Sequence, residues 1–511
     1  MSEANRVSTG QRSGTAGVPL SAIARRLEEA ELLVPDGRPD VDPTVFDLSH
    51  DSHRVGPGWL FCAARGHRSD GHEFAPDALR AGASAMLVER YLDLPVPQLR
   101  VPSVRNALGR VAAFLHGSPS RDLEVIGVTG TNGKTTTTYL LEAALSGGGR
   151  RTGVIGTVET RVGLRRVRSE FTTPEAPDLQ RELAGMVRDG VENVAMEVSS
   201  HALDQHRVDE TWFGTAVFMN LSPEHLDYHG TIEQYYASKA SLFEPARCGR
   251  ALVCVDDEWG RRLASQVRVP VVTFGSSGSP DVTVELVKSG LEGTTVRLGG
   301  TEPDVEVSAP VVGPCNAANL AAAYLAATAS GVGRAEALDA LAGAPRVPGR
   351  FELVDSGQEF LVVVDYAHTP EALRERIETA RELRGPDAFV HLVVGARGGR
   401  DRVKRQHIGR AAALADKVVL TTDSPGGEDP RAIITEIRLG MTESDMAGVV
   451  VEEDRRAAIH HAIEGARAGD VVLVVGRGHE TEYVVGDRHI ELDDRQAARE
   501  ALARISERDA D

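Results

Sequence analysis

Lys134 and Thr135 close the run Gly130-Thr131-Asn132-Gly133-Lys134-Thr135, and that grouping suits the binding of a triphosphate. Glycines let backbone N–H groups turn toward an anion. The lysine supplies charge for the outer phosphates, and the threonine hydroxyl a ligand for Mg²⁺. Thr136 extends the hydroxyl run. A strict Walker A pattern asks for glycine five residues before Gly133, where Val128 stands. The plainer alternative is a glycine turn, but a lysine and a threonine at these positions favour phosphate. Glu197 ends an apolar run, Val194-Ala195-Met196, and precedes Ser199, Ser200 and His201. An acid at a strand end beside a phosphate loop is a usual Mg²⁺ ligand; a capping carboxylate is the alternative. The stretch from Ser222 to Gly230 adds potential ligands, His225 among them, and Lys239 follows on an expected helix. Taken singly, each of the two would be structural.

The elements that must position these groups read as alternating strands and helices. Val125 to Val128 is a buried strand and Tyr139 to Leu145 has helical spacing, so the glycine run opens a helix. A helix N-terminus adds its positive dipole end to such a site. Helices are expected over Leu20 to Leu33, Asp178 to Asp189 and Ile232 to Phe243, with an alanine-rich one through Ala329. Thr152 to Val158, Gly214 to Leu221, Phe360 to Val364, His391 to Val394, Lys417 to Thr421 and Val471 to Val475 read as strands. The last four empty into polar or glycine loops. In a parallel sheet such loops gather on one edge, where ligands bind.

At 511 residues the chain has room for about three domains. Residues 1–17 read as a disordered tail, 18–122 as a small α/β domain, 123–345 as the P-loop, parallel-sheet domain and 346–511 as a Rossmann-like α/β domain. A net charge of −18 without a basic block argues against nucleic acid or an anionic membrane as partner. No apolar run is long enough to span a bilayer, and the tail lacks a signal peptide's apolar stretch. Cys62, Cys248, Cys254 and Cys315 form no CxxC pair, as in a reduced cytoplasmic protein. A monomer acting on small molecules is the expectation.

Several segments together resemble the Mur ligases of peptidoglycan synthesis, nearest to the tripeptide-synthetase (MurE) type. They are the phosphate loop, Thr172-Thr173-Pro174, Glu197-Val198-Ser199-Ser200-His201 with Gln205-His206-Arg207, and His225-Leu226-Asp227-Tyr228-His229-Gly230. Val347-Pro348-Gly349-Arg350, Asp365-Tyr366-Ala367-His368-Thr369-Pro370 and Gly476-Arg477-Gly478-His479-Glu480 complete the set. The resemblance implies three domains, the first binding a uridine diphosphate sugar, and an ATP-dependent amide ligase. ATP phosphorylates a carboxylate on UDP-N-acetylmuramoyl-L-alanyl-D-glutamate, and an amino acid's amine displaces the phosphate.

The resemblance also implies roles. Lys134 would sit on the phosphates, and Thr135 and Glu197 would hold Mg²⁺. His225 would serve a second ion with Lys239, carbamylated as in the family. Asn316, Arg350 and Asp365 would contact the nucleotide. Ser52, His67, Arg68 and Ser69 would meet the uridine diphosphate, and Thr172, Thr173, Ser199, Gln205 and Arg207 the muramoyl dipeptide. Arg400, Gly476 and Glu480 would bind the incoming amino acid.

The amino-acid signature departs from the family. Diaminopimelate-adding members carry Asp-Asn-Pro-Arg, whose arginine pairs with the distal carboxylate; here the residues are Asp423-Ser424-Pro425-Gly426. The preceding loop, Gly395-Ala396-Arg397-Gly398-Gly399, and His53 also differ from the pattern. The expectation is an amino acid not held in the usual meso-diaminopimelate manner, such as lysine, another diamino acid or a different amine; the competing view is that Arg397 or Arg431 replaces the missing guanidinium. A paralogue joining a different carboxylate and amine, a folate-type ligase and a non-catalytic nucleotide-sugar binder are the alternatives. The lysines, acid and histidine argue against the last.

Overall fold

The strand Glu124–Thr129 runs through a tight turn into the helix Lys134–Leu145, the order that a phosphate loop requires. The computed structural model describes residues 17–35, 41–66, 69–163, 165–300, 303–399 and 402–510. The expected tail lies almost wholly outside them. Two units emerge. One comprises Met1–Gly127, Arg151–Gly214 and Ser241–Gly249; the other comprises Val128–Arg150, Thr215–Ala240 and Arg250–Asp511.

In the first unit, Leu48–Ser49, Leu60–Cys62, Ala85–Val88 and Gln98–Arg100 form a parallel sheet in that order. Side chains alternate along each strand, and both faces are covered. Leu60, Cys62, Ala85 and Leu87 pack with residues of the helices Leu20–Glu28 and Val104–Leu115. Phe61, Met86 and Val88 pack with Ala75 and Ala78 of the helix Ala75–Arg80. Full burial of a Leu or Phe contributes about 1.5–3 kcal/mol, so the two-sided pattern holds the sheet. The same unit pairs Thr152–Ile155 in parallel with Asn193–Glu197, and antiparallel with Glu159–Val162.

Several expected elements end early, among them the helix Ile232–Ala240 and the strand Phe213–Phe218. The first helix stops at Glu28 rather than Leu33, because Glu31 takes a left-handed φ of 57° and Leu32 N–H turns back to the Leu27 carbonyl. Leu32 and Leu33 still pack on that core, so the apolar spacing outran the helix. The strand from Thr152 stops at Ile155, since Thr157 N–H is drawn to the Glu197 carboxylate at 2.8 Å.

The second unit carries the helix Asn316–Ala329 alongside Lys134–Leu145, with Thr137 donating to Asn319 Oδ1 at 3.2 Å. One of its sheets has the order Glu352–Leu353, Leu361–Asp365, Val471–Val475, Val390–Val394, Lys417–Leu420, Val449–Val451. All pairings are parallel except the first. Val471, Leu473 and Val475 share one core with residues of the helices Pro370–Leu383, Val403–Ala412 and Pro430–Arg438. Val472 and Val474 share the other with Arg455–Glu464 and Asp494–Ala510. This is a doubly wound α/β layer, as the sequence predicts. No helix of the described residues is long and apolar enough to cross a membrane.

Candidate active site

The phosphate loop is shaped by backbone. Gly130 has φ 155° and Gly133 has φ 88°, in the region where a side chain is strained. A Cβ on Gly133 would also collide with Asn319 Oδ1. Around these glycines the neighbours clamp the loop. Asn132 N–H donates to Asn220 Oδ1 at 2.9 Å, and Asn220 Nδ2 returns a bond to the Asn132 carbonyl at 3.2 Å. The Thr131 hydroxyl lies 3.2 Å from the Tyr235 hydroxyl and takes the Ser222 N–H at 3.0 Å. Lys134 Nζ reaches the Gly130 and Thr131 carbonyls at 2.8 and 2.9 Å. Thr136 is buried beside them on the helix.

The other expected nucleotide residues gather in this unit. Arg350 donates to the Thr135 hydroxyl at 2.8 Å, and its guanidinium lies 4.5 Å from the centre of the Tyr366 ring. Asn316 donates to the Val312 carbonyl and accepts from Asn319 at 2.9 Å. Asp365 is buried; it accepts the N–H groups of Phe351 and Ala367 at 2.6 and 2.7 Å and pairs with Arg376 at 3.1 Å. Its carboxylate thus also fixes the turn at the sheet edge.

Lys239 is the unusual cation. It is 1% exposed, donates to the Gly130 carbonyl at 2.9 Å and lies 4.6 Å from the Tyr235 ring centre. Burial, then the Lys134 charge, push its pKa well below the ordinary lysine range, against the pull of Glu224. A buried amine that favours its neutral form is chemically suited to carbamylation. His225 adopts a left-handed φ of 57° and its ring lies 3.7 Å from Glu224. Glu224, which sequence reasoning did not single out, is buried and accepts from His368 at 2.9 Å and Lys404 at 3.4 Å. Burial raises its pKa, but His368, His225 and Lys404 hold it well below the carboxylate range. An acid directly before His225 was the available signal.

The expected dipeptide residues assemble in the first unit around Glu197. This carboxylate is 1% exposed and accepts from Thr157 N–H and hydroxyl at 2.8 and 2.9 Å. The Thr157 hydroxyl meets Thr172 at 3.1 Å. Thr173 donates to the Glu197 carbonyl and takes the Ser199 N–H, and Ser199 caps the helix Ser200–Asp204. Arg207 bonds the Thr173 carbonyl, Gln205 and Glu175. Glu175, missed from the sequence, also takes Arg105. Ser52 is buried in a turn anchored where Arg54 grips Asp178 at 2.8 and 2.9 Å. Ser69 bonds back to Gly66, while His67 and Arg68 lie outside the described residues, as does Arg400.

At the carboxyl edge of the C-terminal sheet, Arg397 forms an ion pair with Glu480 and stands 5.7 Å from the Tyr366 ring centre. Burial raises the Tyr366 phenol pKa. Asp423 is 1% exposed, and its Oδ1 is buried without a hydrogen-bond partner among the described residues. The Ser424 carbonyl takes Gly398 N–H at 2.9 Å; Pro425 follows, and Gly426 bonds to Val484 and Gly486 of the hairpin Glu482–Val485, Arg488–Glu491. Gly476 bonds the Asp365 carbonyl at 3.1 Å. Behind them Arg455 and Arg477, both fully buried, flank Asp494 at 2.7 and 3.7 Å.

No three His, Cys, Asp or Glu side chains cluster as a metal centre among the described residues. Mg²⁺ is commonly held by one or two carboxylates together with substrate phosphates. The hydroxyl and carboxylate donors named from the sequence are of the hard-oxygen kind it prefers.

Three family descriptions match the chain: Mur ligase family, catalytic domain, over residues 46–115; Mur ligase middle domain, over 128–327; and Mur ligase, glutamate ligase domain, over 349–478. Over 499 residues the chain is 43% identical to the UDP-N-acetylmuramoyl-L-alanyl-D-glutamate--2,6-diaminopimelate ligase of Streptomyces coelicolor, covering 95% of this chain and 97% of that one. The enzyme of the same name from Geobacillus thermodenitrificans is 42% identical over 469 residues, covering 90% and 95%. A solved structure of such a ligase aligns with a TM-score of 0.66 at 30% identity, over 96% of this chain and 100% of that one. MurF ligase of Thermotoga maritima, solved with ADP, shares the fold at 20% identity and a TM-score of 0.64, over 90% and 97%.

Proposed function

The chain belongs to the Mur ligase family, and from this premise we propose that it joins an amino acid to UDP-N-acetylmuramoyl-L-alanyl-D-glutamate at the expense of ATP. The γ-phosphoryl group passes to one of the two free carboxylates of the terminal glutamate, giving an acyl phosphate and ADP. The amine of the incoming amino acid attacks the acyl carbon, loses a proton, and expels phosphate as the amide forms. A carboxylate is a poor electrophile, and phosphorylation gives it a leaving group.

One observation carries this reading. Lys134 and Lys239 both donate to the Gly130 carbonyl, at 2.8 and 2.9 Å, so two amines meet on one phosphate loop. A protein that only held a nucleotide would need one. Lys134 offsets charge on the transferring phosphoryl group, and the loop N–H groups orient it. Arg350 positions the Thr135 hydroxyl. Thr135, His225 and, if carbamylated, Lys239 would hold Mg²⁺ in the second unit, Glu197 would be the acid for it in the first, and the ion would supply charge neutralisation on the phosphates. Asn316, Arg350 and Asp365 serve the nucleotide. Ser52, Ser69, Thr172, Thr173, Ser199, Gln205 and Arg207 serve the UDP-dipeptide. The amino acid goes to the loops carrying Asp423 and Glu480. A cytoplasmic monomer goes with this reading, and size-exclusion chromatography tests its oligomeric part.

Phosphate release from ATP tests the proposal. The expected result is release only when UDP-muramoyl dipeptide and an amino acid are both present. Release that ignores the dipeptide would point to a folate-type ligase, and no release at all to a binding protein.

A further inference from the structure

Resting on the amide-ligase reading, we propose that the arginine-bearing hairpin Glu159–Val162, Arg165–Arg168 is an electrostatic capture surface for the anionic UDP-muramoyl dipeptide. None of its residues is among those that the resemblance assigns to that substrate.

Arg165–Arg168 is the outermost strand in the order Arg165–Arg168, Glu159–Val162, Thr152–Ile155, Asn193–Glu197. All of its residues are exposed, so neither face of this strand is covered. Its side chains are Arg-Arg-Val-Arg, and Glu159 is the one acid among residues 159–168, against four arginines, in a chain of net charge −18. Arg166 stands directly opposite Arg161, an arrangement of like charges that costs stability. The two share one Glu159 carboxylate oxygen, at 4.0 and 3.6 Å. Register also fixes where the charge lies. Arg165 pairs with Val162 at the turn, and Arg168 with Glu159 at the far end. Glu159 follows Thr157, whose hydroxyl meets Glu197 at 2.9 Å and Thr172 at 3.1 Å. Beyond Arg168 the chain runs through Ser169, Glu170 and Phe171 to Thr172 itself. The arginine row thus climbs the sheet edge toward the residues given to the dipeptide.

The substrate carries a pyrophosphate and two free carboxylates, all ionised at neutral pH. A strongly acidic protein repels such a molecule as a whole. A local row of guanidiniums, charged at any working pH, reverses the field at one edge and concentrates the anion there. Charges on a rim of this kind act on association and on its salt dependence more than on the chemical step. ATP has its own cation in Lys134, on the glycine loop of the second unit, so the hairpin serves the dipeptide and not the nucleotide.

The test is calorimetric titration with UDP-muramoyl dipeptide, a non-hydrolysable ATP analogue being present at saturation. Salt is varied from about 0.01 to 0.15 M, over which the screening length falls from about 30 to 8 Å. Wild-type Kd is expected to rise with salt. The triple variant Arg165→Gln, Arg166→Gln, Arg168→Gln is expected to bind the dipeptide about 10-fold more weakly at low salt and to lose most of the salt dependence. Its Kd for the ATP analogue is expected to stay within about twofold of wild type, since the hairpin's field is local. Restoring lysine at the three positions is expected to recover most of the binding, because charge rather than the guanidinium fork does the work. Unchanged melting temperatures show that the variants fold. An unchanged dipeptide Kd, a loss that salt does not diminish, or an equal loss for the ATP analogue would overturn the proposal. So would a variant that self-associates while binding dipeptide normally, which would leave the arginines as guards of an open strand edge. Wild-type protein that binds no dipeptide at any salt would overturn the ligase reading itself, and the capture surface with it.

Discussion

Between Gly130 and Thr135 the second unit presents backbone: two glycines at φ 155° and 88°, braced by Asn220 and Asn319. At Arg397, Asp423 and Glu480 the same unit presents charged side chains from three separate strand ends. The contrast separates two ways of making a polar site. A backbone cradle needs glycine at fixed spacing, so it is written locally. A charge cluster needs only that opposite charges arrive in one place, so its members can trade positions. Gly426 has no side chain to offer, and the guanidinium paired with Glu480 is that of Arg397.

Lys134→Ala would break the contrast most severely at the cradle. Activity is expected to fall about 10³-fold, because charge on the phosphoryl group goes uncompensated. Stability should barely move, since Lys134 bonds its own loop carbonyls. Near-normal turnover would contradict the role given to it. Asp494→Ala probes the other side. It strands Arg455 and Arg477, both fully buried, and should cost about 3 kcal/mol in urea unfolding. A smaller loss would mean that packing, not charge pairing, shapes that edge.

Gly133→Ala asks whether the cradle depends on backbone. The left-handed φ and the collision with Asn319 predict a loss of about 1–2 kcal/mol, with weakened ATP binding by calorimetry. Arg431→Ala is the mildest change. An exposed pair with Glu453 is worth less than about 1 kcal/mol, and amino-acid preference should stay as in wild type. A switch in preference would give Arg431 a part in binding the amino acid.

Much of the molecule was legible as sequence. Alternating apolar runs located the parallel strands, and Val471-Val472-Leu473-Val474-Val475 reads directly as a strand covered on both faces. The family resemblance groups the Thr172–Thr173, Ser199 and Gln205–Arg207 segments, and the structure brings them around Glu197. Glu175 and Glu224 were not singled out, because their partners Arg105, Arg207, His368 and Lys404 are remote along the chain. The helix end at Glu28 was misplaced because apolar spacing continues past the residue that turns left-handed.

The chain's order of residues by itself determined the phosphate loop, the doubly wound layers and the family, since each depends on neighbours within a turn or a strand. Only the tertiary structure decided that Lys239 lies buried against Gly130 and that Arg397, not Arg431, faces Glu480. Burial and pairing of charges are properties of the folded neighbourhood, assembled from segments 80 or more residues apart, and no local spacing encodes them.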